Sequence, residues 1–228
     1  MRGLILCALL VFLVCATGVN AVSPFQNLDF QSANLSEIPA GQFGGNVPIT
    51  NALPFWTGYL GTNRVTQALH NSITLGNVSI DILGPNWDAS PLILGQYTVM
   101  LQSGGNPFGG GAANAAIAQV GLVPVNTQSI LLDVIGTNFS LSFSGQIIPL
   151  STVGSGLNYT VYGGNVSVFA GQVGELRVST FNPDGTAIEL GPITFSTQAI
   201  PEQSSVSLLL GGVLGLFFWQ RTRHKPAQ

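Results

Sequence analysis

The chain has 228 residues, only 7% of them charged, 46% hydrophobic, with a formal net charge of −3 and two cysteines. Residues 22–197 hold just two cations, Arg64 and Arg177, against eight carboxylates. That balance excludes nucleic acid as a partner, because phosphate binding needs lysines and arginines to replace counterions. Nor is the composition that of a disordered chain, which combines low hydrophobicity with high net charge.

The N-terminus has Arg2, an apolar run from Leu4 to Val14, and small residues ending Val19-Asn20-Ala21. This is the pattern of a secretory signal peptide with cleavage after Ala21. Both cysteines, Cys7 and Cys15, fall inside residues 1–21. The processed chain is then without thiols, so neither disulfides nor thiolate zinc sites can staple it. It must rely on a hydrophobic core, and residues 22–198 suffice for one such domain.

Within that domain, residues 22–30 read as a first strand, with Phe25, Leu28 and Phe30 as its apolar side chains. Residues 38–54 are rich in Gly and Pro and read as a loop. Residues 55–60 form a short aromatic strand, and Gly61-Thr62-Asn63 turns the chain. Two β-rich runs follow, over 73–82 and 92–101, bracketed by Gly84-Pro85-Asn86 and Ser103-Gly104-Gly105-Asn106-Pro107. The glycine-rich stretch 108–113 lacks the Lys-Ser or Lys-Thr of a phosphate loop and reads as a connection. Further strands are expected near 114–120, over 129–135, through Phe139, Leu141, Phe143 and Ile147, around 157–168, over 174–181 and over 188–197. Period-two alternation divided by turn residues predicts an all-β, antiparallel sandwich of about ten strands.

The residues that could carry chemistry are few. His70 has no histidine or nucleophile motif beside it and reads as a turn residue. Asp81 and Asp88 flank Trp87, so Trp87 with Asp88 is a possible glycan contact, and paired carboxylates could serve a glycosidase or lyase. Trp56 and Tyr59 read as core packing, and Glu175 with Arg177 as a surface pair at spacing two. No cofactor and no metal-ligand set is read from these residues. The expected role is therefore non-catalytic: structural or adhesive. A carbohydrate-binding module is the alternative, and a glycoside hydrolase or lyase a further one.

After the domain, residues 199–228 read Pro201-Glu202-Gln203-Ser204-Ser205, an uncharged apolar segment at 206–219, and a basic tail with Arg221, Arg223 and Lys225. As a helix, residues 206–219 would be about 21 Å long, short of a bilayer's ~30 Å core. Trp219 and the basic residues would hold its end on the cytoplasmic side. The arrangement resembles the PEP-CTERM sorting domain of exported bacterial proteins. Pro201 and Glu202 match the motif, and Gln203 replaces its second proline. The resemblance implies export and an inner-membrane-anchored precursor. It also implies processing by an exosortase-like enzyme, and delivery to an envelope or extracellular matrix that contains polysaccharide. The opening Phe25-Gln26-Asn27-Leu28-Asp29-Phe30 is similar to that of jelly-roll domains preceding such signals, many of which hold calcium between first and last strands. Here Gln31 stands where a Glu is common, and Gly191-Pro192 precedes Ile193-Thr194-Phe195 where an Asp is usual. Both departures argue against the calcium site.

Overall fold

The computed structural model describes residues 23–181 and 186–200. The predicted signal peptide, the sorting motif, the transmembrane helix at 206–219 and the basic tail lie outside the described residues, as does the predicted turn at 182–185. Among the described residues no helix is long and apolar enough to cross a membrane.

The chain is all-β. In order, its strands are β1 Asn46–Pro48, β2 Thr57–Leu60, β3 Asn63–Val65, β4 Gln67–His70, β5 Ser79–Leu83, β6 Thr98–Gln102, β7 Gly104–Gly105 and β8 Ala112–Ala113. Then come β9 Ala115–Leu122, β10 Ser129–Ile135, β11 Phe139–Phe143, β12 Gln146–Ile148, β13 Ser151–Ser155, β14 Thr160–Asn165, β15 Val173–Thr180 and β16 Ala187–Ser196. An eight-stranded sheet runs β1-β4-β5-β6-β16-β10-β14-β13, and a six-stranded sheet runs β12-β11-β15-β9-β2-β3. Strands β7 and β8 form a separate ribbon. The last strand, β16, lies in the middle of the larger sheet, between β6 and β10. That sheet is therefore complete only when the end of the domain has joined it.

Alternation decides which side chains face inward. In β10, Ile130, Leu132 and Val134 are fully buried; in β15, Leu176, Val178 and Thr180 are buried, as their spacing predicts. Inward residues of both sheets, among them Ile82, Leu101, Ile117, Leu141 and Ile188, join one core. Each such side chain contributes roughly 1.5–3 kcal/mol relative to exposure. A smaller apolar group of Leu83, Ile93 and Met100 is buried outside that core.

Several expected elements differ. Residues 23–30, the described part of the expected first strand, do not form one. Pro24 makes one isolated bridge to Leu122, and the chain then turns because Asn27 and Phe30 both adopt left-handed φ, 49° and 64°. Two such residues cannot keep a period of two. The Asn27 carboxamide stabilises the turn: its Oδ1 accepts from the Ser32 N–H (2.9 Å) and its Nδ2 donates to the Pro54 carbonyl (3.2 Å). Phe30 plugs the core against Trp56, with ring centroids 5.5 Å apart, and Phe25 stacks on Phe195. The segment still lies beside the last strand, since the Ile193 N–H donates to the Leu28 carbonyl (2.9 Å).

The predicted loop at 38–54 contains β1 and a single helical turn, Ile49–Ala52, which buries Ile49 and Ala52. Strand β5 starts only at Ser79, because Ile73 and Leu75 point to solvent. Strand β6 starts only at Thr98, because residues 92–97 bend away through Gly95 at φ 75°. The polar edge strand β13 has no alternation of apolar residues, and β12 is separate from β11. His70 ends strand β4 and is buried, at 3% exposure, rather than standing in a surface turn.

Gln31 occupies the position where the resemblance expects a Glu, and its amide ties the first segment to residues 94–97. Its Oε1 accepts from the N–H groups of Gln96 (2.7 Å) and Tyr97 (3.3 Å). Its Nε2 donates to the carbonyls of Asp29 (2.8 Å), Tyr97 (2.9 Å) and Leu94 (3.4 Å). A carboxylate has no donor for these carbonyls. Gln31→Glu should therefore cost about 1–3 kcal/mol, read by chemical denaturation at neutral pH; an unchanged midpoint would contradict the role.

Candidate functional site

The two outer faces of the sandwich carry different chemistry. On the eight-stranded sheet, cross-strand register places Leu69, Asp81, Met100, Glu189 and Ile135 in one row. Asp81 and Glu189 lie on either side of the central β6, so their Cα atoms are about 10 Å apart at ordinary strand spacing. Asp133 projects from β10 on the same face, next to Gly191. Three carboxylates thus share this side.

Residues 84–97 run past Glu189 and Asp133, while Asp81 is met by the Ser72 N–H. Asn71 holds the start of this segment: its Oδ1 accepts from the Gly84 N–H (2.6 Å) and its Nδ2 donates to the Pro85 carbonyl (3.0 Å). Asn86 Nδ2 donates to Glu37 Oε1 (2.6 Å). The Trp87 indole N–H donates to Ser90 Oγ (3.0 Å), and the Ser90 hydroxyl donates to Glu189 Oε1 (2.5 Å). Asn158 Nδ2 donates to the Pro91 carbonyl (3.1 Å). Near the end of the segment Ile93 packs on Gly191, where an added Cβ would meet Ile93 Cγ2 at 2.6 Å.

Burial sets the charge states of these carboxylates. Asp81 is 0% exposed, and burial pushes its carboxyl up to about 8. Backbone N–H groups at Ser72, Ile82 and Asn71 pull the other way and do not prevail. Asp81 Oδ2 accepts from the Ser72 N–H (3.1 Å), while Oδ1 is buried without a hydrogen-bond partner. Burial raises Glu189 against the opposing Ser90 hydroxyl, and it raises Asp133 as well. Asp81 is thus a neutral, largely structural acid at pH 7. His70 belongs to the other side of the sheet: it pairs with Ile82, an inward residue, and burial lowers its pKa.

The sequence-predicted residues fall as follows. Trp87 and Asp88 are neighbours in the covering segment, Trp87 half-buried with its N–H turned inward to Ser90 and Asp88 exposed. Trp56 is in the core, its indole N–H donating to the Asn27 carbonyl (3.0 Å), so the two tryptophans do not form one exposed row. Asp81 is 0% exposed, with its carboxylate turned to the Ser72 N–H, whereas Asp88 is exposed, so these two carboxylates do not face one cleft. Pro201, Glu202, Arg221, Arg223 and Lys225 lie outside the described residues. Among the described residues no His, Cys, Asp and Glu side chains group to hold a metal ion.

The six-stranded sheet brings together residues that are scattered in the sequence. Gly58 and Val65 face inward, so their neighbours Tyr59 and Arg64 face outward and lie directly opposite across β2 and β3. Tyr59 also pairs with Ala116, and Arg177 with Ala118, on the same outer face. The Arg177 guanidinium reaches back over β9 and rests on the Tyr59 ring, its Cζ 4.2 Å from the centroid. Ala116 and Ala118 lie beneath this span and are 3% and 2% exposed although they face outward. Arg177 Nε donates to Glu175 Oε1 (2.9 Å), the pair expected from spacing two. Half exposed, that ion pair is worth under about 1 kcal/mol.

No family model matches the chain, and no curated protein matches it.

Proposed function

We propose that this is an exported, non-catalytic protein, delivered to the cell envelope or extracellular matrix by a PEP-CTERM-like signal at 199–228, with a structural or adhesive role there. In this reading the described residues are a jelly-roll-like cargo domain. The signal helix at 1–21 starts export, and the helix at 206–219 holds the precursor in the inner membrane until an exosortase-like enzyme cuts near Pro201-Glu202. The observation that carries the reading is the order in the sequence: Pro201-Glu202, an uncharged apolar segment, then Arg221, Arg223 and Lys225. Its setting supports it. Strand β16 closes the larger sheet and ends at Ser196, and the Ser129 hydroxyl donates to the Gln198 carbonyl (2.7 Å). In sequence the motif follows shortly after a domain end that Ser129 pins at Gln198.

The test is the intact mass of the protein isolated from the envelope of its own host. The expected species starts after Ala21 and ends within a few residues of Glu202. A native protein that retains the chain through Gln228 would overturn processing.

A further inference from the structure

We propose that the outer face of the six-stranded sheet, centred on Arg64, Tyr59 and Arg177, binds an acidic polysaccharide through its carboxylate groups. The inference rests on the adhesive role proposed above and names its ligand.

Charge distribution comes first. Arg64 and Arg177 are the only lysine or arginine residues among the described residues, and both stand on this one face. Asp81, Asp133 and Glu189 are all on the outer face of the opposite sheet. One carboxylate, Glu175, is on the arginine face, and it occupies only the Nε–H of Arg177. No described residue is bonded to the terminal N–H groups of Arg177, and none is bonded to the side chain of the exposed Arg64. In a domain with a net negative charge, the field at this face is locally reversed and attracts anions.

Geometry comes next. The Tyr59 ring under its Cζ and the Glu175 carboxylate on its Nε together position the Arg177 guanidinium before a ligand arrives. Arg64 stands directly opposite Tyr59 on the neighbouring strand, about 5 Å from it at the backbone, and is a second cation on this face, three strands from Arg177 in the sheet. Beside Arg177 is an open cavity of about 500 Å³ whose lining includes Thr62, Asn106, Asn114, Ser179 and Phe181 together with small glycine and alanine residues; Tyr59 and Arg64 stand next to it on the same face. Its size lies within the range of small-ligand pockets, about 300–1,000 Å³.

The lining favours sugar over acidic peptide. Hydroxyl and carboxamide groups match the hydroxyls of a sugar ring, and the exposed Phe181 ring offers an apolar face for it. Carboxylates on successive sugars would meet the arginines. An acidic peptide run such as polyglutamate would also satisfy the arginines and could pair its backbone with those groups, but it has no ring face to set against Phe181.

The full chain, purified in detergent, would be titrated with polygalacturonate, with neutral dextran and with polyglutamate. Polygalacturonate should bind, and more weakly as salt rises from roughly 50 to about 300 mM, because exposed charges are screened. Arg64→Ala and Arg177→Ala should each weaken binding about tenfold, and Arg177→Lys by less, since the charge stays while the flat fork is lost. Arg64 is exposed, so Arg64→Ala should leave the melting temperature unchanged and keeps the test valid if Arg177→Ala loosens the fold. Polygalacturonate binding that neither variant weakens would overturn the site. Equal binding of polyglutamate with the same sensitivity would overturn the saccharide in favour of an acidic protein. Binding of dextran without polygalacturonate would overturn this site and leave the adhesive role standing. Binding of none of the three would count against both.

Discussion

Replacing Asp81 by asparagine should stabilise the protein at pH 7 by about 2–4 kcal/mol and flatten its dependence on pH. The carboxyl ionises near 3.8 in the unfolded chain and is pushed up to about 8 by burial in the folded one. Between those values the folded protein holds a proton that the unfolded chain has released. Stability due to this group is therefore fully present below pH 3.8 and is lost progressively as pH rises towards 8. One proton corresponds to about 1.4 kcal/mol per pH unit across that window. Glu189 and Asp133 are also raised, so their contributions have the same sign. His70 is lowered, so it acts in the opposite sense: its contribution is lost as pH falls below about 6.5. Asparagine keeps an acceptor for the Ser72 N–H, which is the bond Asp81 makes. Urea denaturation at pH 4.5 and pH 7.5 checks this. The Asp81→Asn variant should gain on the wild type between the two conditions; parallel behaviour would show that Asp81 is not protonated in the fold.

The second large effect concerns the plug. Phe30→Ala should destabilise the protein by about 3–5 kcal/mol, the usual cost of emptying a fully buried phenylalanine site. Phe30 is 0% exposed and tilts against Trp56, which itself donates to the Asn27 carbonyl in the same turn. The substitution leaves Trp56 without its aromatic neighbour and opens the core where the first segment seals it. It does not relax the backbone, because alanine tolerates φ 64° no better than phenylalanine does. Phe55 is the control: its φ is 73°, but it is 60% exposed. Phe55→Ala should stay within about 0.5 kcal/mol. A cost under about 1 kcal/mol for Phe30→Ala in thermal or urea unfolding would mean that the segment is dispensable.

Much of the fold was legible. Strands β11 and β15 follow the apolar alternation of the sequence closely, because each has one face in the core and a side-chain period of two; β10 and β16 fall where strands were expected, with an irregularity in their shared register. The pair Glu175–Arg177 was legible for the same reason, since residues two apart on a strand share a face. The failures have physical causes. Residues 22–30 have the apolar content of a strand, but left-handed backbone at Asn27 and Phe30 turns them into a plug. Ile73 and Leu75 alternate like core residues and yet point to solvent, because sheet pairing begins only at Ser79. Strand β13 was invisible because an edge strand needs no buried face of its own.

The sites divide in the same way. The predicted glycan contact at Trp87 and Asp88 was a local reading, and the two residues are neighbours in one covering segment. What neither residue identity nor spacing could reveal is the sorting of charge between the two outer faces. Arg64 and Arg177 are far apart in the chain, as are Asp81 and Glu189. Each pair shares a face only through the pairing of β2, β3, β9 and β15 in one sheet and of β5, β6 and β16 in the other. The sequence by itself determined the all-β class of the domain and its shortage of charge, and it is the sole ground for the address proposed at 199–228, because composition and local periodicity need no partner. Only the tertiary structure decided which charges are buried, which are displayed and which stand together, because those depend on strands distant in the chain becoming neighbours.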